Sequence, residues 1–292
     1  MGLFDLPLPA LLGQLTLGLI NGAFYAVMSL GLAVIFGMLR VVNFAHGAQF
    51  TMGAFGAWAL AHYLGLSYWW ALLLVPLGMG LLGMVIERLL LSRLYERSEM
   101  FQMLLTFGLA LVIEGSLTVA YGSSGLPYDN PLPGGIPLGF MFLPLYRAWV
   151  VLVSVLVCLA TWLLIERTRI GMVLRAATER PDLLRTFGVR VPLLITATYG
   201  FGVALAALAG VLAAPIDQVK PLMGSGLIVT VFAVVVIGGM GSIFGAVCTG
   251  FVLGVVEALT RVVYPPAAGV VIFLLMAAVI AVRPAGLFGK AT

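Results

Sequence analysis

Leu11–Leu39 reads LLGQLTLGLINGAFYAVMSLGLAVIFGML, 29 residues without a charged side chain. As an α-helix it would be about 43 Å long, against roughly 30 Å for the hydrocarbon core of a bilayer. A helix of this length must tilt or contain a break. Met1–Gly13 holds no Lys or Arg, so the basic leader of a cleavable signal is missing, and the apolar run is too long for a signal core. Eight more apolar blocks follow. Phe44–Leu64 is interrupted by His46, Gln49 and several glycines, and Tyr68–Leu91 closes on Glu87 and Arg88. Then come Phe101–Tyr121, Trp149–Ile165, Leu193–Ala214, Gly226–Ile237, Phe244–Leu259 and Ala268–Val282. Gly226–Ile237, at about 18 Å as a helix, is too short to cross alone and runs into the glycines of Gly238–Ser242. We expect an all-α polytopic membrane protein, one transmembrane domain over residues 1–292. It has about nine transmembrane segments, with breaks in the first and the seventh.

Composition agrees. Of 292 residues, 62% are hydrophobic and 9% charged, where a soluble domain carries about 25% charged residues. So few charges cannot cover a water-facing surface, so the surrounding solvent is largely lipid. The net charge of +4 does not point to nucleic acid, because the basic residues are not clustered with exposed aromatics. They mark topology. If the nine segments alternate, Arg40, Arg88–Arg97, Arg167–Arg190 and the C-terminal tail share one side. That side holds twelve of the fifteen basic residues, and the other holds Arg147, Lys220 and Arg261. The positive side is cytoplasmic, which puts the N-terminus outside and the C-terminus inside. Tyr68, Trp69 and Trp70 read as an aromatic belt at the outer interface.

The sequence offers no catalytic constellation. There is no P-loop, no His-x-x-x-His pair, no Cys-x-x-Cys and no carboxylate dyad, so no cofactor or metal is expected. Cys158 and Cys248 lie in apolar runs and read as small buried residues. The candidates for function are polar groups at membrane depth, which are costly to keep there. Asn43 and His46 flank a break, and would line a path or hold the broken backbone. Glu114 has no local partner and is a candidate for an interhelical or path role. Glu257 stands four residues before Arg261 and reads as one half of a structural pair. Gly238, Gly239, Gly241 and Ser242 form a break that would line a cavity, or else allow close packing. Gly18, Gly22, Gly250 and Gly254, at GxxxG spacing, would allow close packing too. Gly31–Gly53 and Val234–Gly254 share an order of apolar stretch, break and glycine-rich helix, and such paired breaks point to a transport path.

The densest run of charge lies in Glu166–Pro192, ERTRIGMVLRAATERPDLLRTFGVRVP. Pro181 starts a short helix with Asp182 in its first turn, and Gly188 ends it, giving Pro181–Phe187. Leu183, Leu184 and Phe187 beside Arg185 make it amphipathic, suited equally to lipid headgroups or to a groove on a partner.

Several strings together resemble the permease family of ATP-binding-cassette importers for branched-chain amino acids, specifically its H-type subunit. They are Asn21–Ala26, Arg40–Gly47, Arg167–Gly171, Arg175–Pro181, Ala206–Gly210, Ile237–Ala246 and Arg283–Gly289. The resemblance implies a homologous second permease, two cytoplasmic ATP-binding subunits and a periplasmic solute-binding protein as partners. It also implies a multi-pass protein of the bacterial inner membrane. Glu179, Pro181, Leu183, Leu184, Arg185, Phe187 and Gly188 would then belong to the coupling helix that docks on an ATPase. Arg175-Ala-Ala stands where importers in general carry Glu-Ala-Ala, which is similar to the family's own variant. Two other classes compete. A stand-alone secondary transporter fits the breaks but lacks paired intramembrane acids. A passive channel fits the glycines but shows no ring of pore motifs.

Overall fold

The computed structural model describes residues 7–39 and 41–289; the side chains of Glu179, Pro181 and Asp182 lie outside the described residues, as do residues 1–6, Arg40 and 290–292. Each of the nine apolar blocks forms one helix: α1 Leu8–Leu39, α2 His46–Leu64, α3 Tyr68–Leu89, α4 Glu99–Tyr121 and α5 Leu145–Arg167, then α8 Val191–Ala213, α9 Ser225–Gly238, α10 Ile243–Val263 and α11 Ala268–Val282. Two short helices, α6 Arg169–Glu179 and α7 Pro181–Thr186, fill the charged segment between α5 and α8. The Gly/Pro-rich stretch after α4 forms a two-stranded antiparallel hairpin, β1 Gly135–Pro137 and β2 Phe142–Pro144. The chain is a helical polytopic membrane protein, with seven described helices long and apolar enough to cross a bilayer. The other two apolar helices are α2, interrupted by polar residues, and the 14-residue α9.

The break expected inside the first segment is not there. α1 is a single helix of 32 residues, about 48 Å long. Its surroundings allow this. Of its most apolar 18-residue window 72% is buried, compared with 17% for α4 and 11% for α11. α1 is the axis of the bundle, packed on α5, α8, α9 and α10. A helix clothed in protein need not match the thickness of lipid. The apolar side chains of α4 and α11, by contrast, face outward.

Close approach onto that axis comes from the two GxxxG pairs. A Cβ on Gly22 would stand 2.8 Å from the Phe251 Cα, and one on Gly250 would stand 2.7 Å from the Ala26 Cα. Gly18 meets the backbone of Gly254 and Val255 in the same way. The two motifs are therefore one interface, α1 against α10, with backbones in direct contact.

The aromatic belt is split. Trp69 and Trp70 are exposed, while Tyr68 is buried and accepts hydrogen bonds from the Tyr146 hydroxyl (3.1 Å) and the Trp149 indole N–H (3.3 Å). A tyrosine with two donors available inside the bundle gains more there than at the interface.

Candidate functional site

After α1 ends at Leu39 the chain turns back along it. His46 Nε2 lies 3.0 Å from the Met28 carbonyl oxygen, and Met28 stands eleven residues before the end of α1, about 16 Å by helical rise. Residues 41–45 therefore carry irregular backbone inside the bundle, where every buried polar group needs a partner. The Thr106 hydroxyl sits between the Phe44 N–H and the Val42 carbonyl, 3.2 Å from each. The Asn43 side chain accepts from the Ala45 N–H (3.0 Å) and donates to Gln49 Oε1 (3.2 Å), and Gln49 donates onward to the Tyr199 hydroxyl (3.2 Å). Asn43 and His46 are both fully buried, and both hold this broken backbone. Replacing Asn43 with Ala leaves the Ala45 N–H and the Gln49 carboxamide short of partners. The expected cost is about 1–3 kcal/mol, read as a lower unfolding midpoint of the purified protein.

A second interrupted helix meets the first. α9 begins at the level where α2 begins: the Gly224 N–H donates to Thr51 Oγ1 at 3.0 Å, and a Cβ on Gly47 would stand 2.6 Å from the Gly224 oxygen. The N-termini of α2 and α9 thus abut inside the bundle, each with the positive end of its dipole. Glu114, 8% exposed on α4, neighbours Ser225 in the first turn of α9. Phe44 closes the junction against Phe232 and Phe107, at centroid distances of 5.2 and 6.3 Å. Half-helices with N-termini near the midplane are how many transporters build a solute site. Three of the residues singled out from sequence, Asn43, His46 and Glu114, converge at this junction.

Gly238–Ser242 does not join them. A Cβ on Gly37, near the end of α1, would stand 2.8 Å from the Gly241 Cα, so this break lies at the end of the bundle where α1 finishes. Gly239 has φ +103° and backs directly onto Gly289, a site closed to any side chain. The Leu287 and Phe288 N–H groups donate to the Ile237 and Gly238 carbonyls at 2.8 and 3.1 Å, and Ser242 caps α10 by accepting from the Gly245 N–H at 3.1 Å. The strings Ile237–Ala246 and Arg283–Gly289, separate in sequence, are one structural unit: the tail satisfies the free carbonyls that end α9.

The charged segment lies at the same end. α7 stops at Thr186, one residue before the expected boundary, and Gly188 follows with φ +78°. Leu184 is half-buried, but Phe187 is 81% exposed and Leu183 is exposed beside it. Of the other candidates here, the side chains of Glu179 and Pro181 lie outside the described residues. Arg175 donates to the Ile165 carbonyl at the end of α5 and pairs with Glu166 at 3.2 Å. That basic residue thereby ties α6 to the negative end of a helix dipole. Arg185 lines a cavity of about 700 Å³ together with Leu39, Glu87, Tyr95 and Thr178, so α7 borders the end of α1.

Glu87 is the residue the sequence reading passed over. It looked interfacial because Arg88 follows it, yet it is 1% exposed. It accepts from the Tyr95 hydroxyl (2.7 Å) and the Thr196 hydroxyl (2.6 Å). Burial, then the bond to Glu87, hold the Tyr95 phenol well above its ordinary pKa, so it stays a donor at physiological pH. Glu257 pairs with Arg261 as its spacing suggested, at 2.5 Å, and Tyr25 of α1 donates to its other oxygen at 2.6 Å.

Comparison with known proteins follows this geometry. Residues 14–280 match the family described as branched-chain amino acid transport system, permease component. The chain is 28% identical to the high-affinity branched-chain amino acid transport system permease protein BraD of Pseudomonas aeruginosa, covering 96% of both chains. It is 26% identical to the corresponding permease protein LivH of Escherichia coli, again over 96% of both. It is 25% identical to a probable LivH permease protein of Methanocaldococcus jannaschii, over 90% of this chain and 88% of that one. No solved structure matches.

Proposed function

The chain belongs to the family of branched-chain amino acid transport system permease components, a transport protein and not an enzyme, and from that premise we propose how it is built into an ATP-driven importer. It sits in the bacterial inner membrane with the N-terminus outside, and with residues 166–190 and the C-terminus in the cytoplasm. Seven long apolar helices, together with α2 and α9, which both begin inside the bundle, complete nine crossings. A homologous second permease pairs with it, two ATP-binding subunits dock below, and a periplasmic binding protein delivers a branched-chain or related amino acid from above.

The observation that carries this reading is the joint geometry of α7 and α1. A short helix bounded by Pro181 and Gly188 shows Leu183 and Phe187 to solvent, and its Arg185 lines the cavity at the foot of the central helix. A rigid docking helix beside the bundle axis suits force transfer from an ATPase. The path then follows that axis to the junction of α2 and α9, where Asn43, His46 and Glu114 lie. Gly238–Ser242 serves as the joint with the tail.

Two measurements test it. Affinity-purified chain should bring an ATP-binding subunit with it from native membranes, and the chain freed of that subunit should hydrolyse no ATP above background. Hydrolysis that tracks substitutions in this chain would refute the assignment. Reporter fusions after Gly289 and within 122–144 should lie on opposite sides of the membrane. Fusions on one side would overturn the nine-crossing topology.

A further inference from the structure

Toward the end of the bundle where α1 starts, a cavity of about 430 Å³ opens between α1, α5, α10 and the segment that follows α8. Its size is that of a small-molecule pocket. Phe50 and Leu227 are among its lining residues. They stand one turn along from His46 on α2 and from Gly224 before α9, so the cavity reaches down to the junction of α2 and α9. With Leu17, Ile20 and Phe24 they give it an apolar wall.

Four charged side chains line the same cavity: Arg147, Asp217, Glu257 and Arg261. Two of them neutralise each other, since Glu257 is held by Arg261 and by Tyr25. Arg147, half-buried at the start of α5, and Asp217, exposed after α8, form no ion pair among the described residues. One guanidinium and one carboxylate are thus left facing a shared space beside an apolar wall. That is the complement of a zwitterion with an aliphatic side chain.

We propose that this cavity is a solute-recognition site in the outer half of the subunit. Arg147 takes the carboxylate and Asp217 the ammonium of an α-amino acid, whose side chain lies against Phe24, Phe50 and Leu227. The proposal rests on the permease reading and adds to it a site within this chain, separate from the binding protein. A planar guanidinium suits a carboxylate, and the pocket then releases its solute toward the junction below.

The test is saturable binding of labelled leucine to the purified permease–ATPase complex in the absence of the binding protein. Wild type should bind. Arg147→Gln and Asp217→Asn should each weaken binding by about tenfold or more, Arg147→Lys should recover part of it, and Lys220→Gln, outside the cavity, should change nothing. Unaltered binding in both neutral variants overturns the proposal. So does the absence of leucine binding to wild type, and ATP-driven uptake by the same preparation with binding protein would then leave the permease reading standing. If the neutral variants do not assemble, competition on wild type decides. Isopentylamine and 4-methylpentanoate each lack one charge and should compete about tenfold more weakly than leucine, and competition equal to leucine overturns the site.

Discussion

Phe187→Asp is expected to strip the ATP-binding subunit from the purified complex and to abolish uptake, with the membrane bundle intact. Phe187 is 81% exposed on the described chain, so the fold does not depend on it. An aromatic ring shown to water at the end of a docking helix is the kind of anchor that dominates an interface, worth about 2 kcal/mol or more on truncation. A carboxylate in its place adds the cost of burying a charge, several kcal/mol if unpaired. Retention of the ATPase should fall by about two orders of magnitude. Leu184 is a poorer probe, because its side chain is half-buried and a charge there would also disturb this chain's own packing. Co-purification and uptake should fall together; if both survive, α7 rests on lipid headgroups and the coupling account fails.

Gly254→Leu should give the largest effect on the fold itself. Gly254 lies directly against the backbone of Gly18 and Gly22, and no flexible side chain is available to move aside. Four added carbons must push α10 away from the central helix. Overpacking commonly costs about 1–3 kcal/mol, and here two helices would lose their contact surface as well. The expected result is loss of folded subunit from detergent extracts, read as aggregation by size-exclusion chromatography. Gly269→Leu is the control: it faces open space on α11 and should leave the elution profile unchanged.

The apolar blocks were legible because lipid imposes a length and a composition on every span, and all nine became helices. The site of each break was legible too, since Asn43, His46 and the Gly238–Ser242 run interrupt otherwise continuous apolar sequence. Depth was not legible. Only tertiary contact puts His46 against Met28 and Gly241 against Gly37, so that one break re-enters the bundle and the other closes its end. Glu87 escaped notice for a similar reason: its partner Thr196 is 109 residues away, and its neighbour Arg88 suggested water. Arg147 and Asp217 are likewise far apart in sequence, and only the fold gives them one cavity. The unbroken α1 shows the limit of a length argument, because it assumes a lipid solvent and this helix is surrounded by protein.

If the chain is part of an ATP-driven importer, it moves its solute only when an ATPase drives it. The direct measurement is labelled leucine uptake into proteoliposomes holding this chain with its partner permease, ATP-binding subunits and binding protein, compared with liposomes holding the chain alone. The account predicts concentrative uptake that requires ATP and disappears with Phe187→Asp, and no uptake by the chain alone under a proton or sodium gradient. Gradient-driven or downhill transport by the isolated chain would contradict it and identify a secondary transporter or a channel.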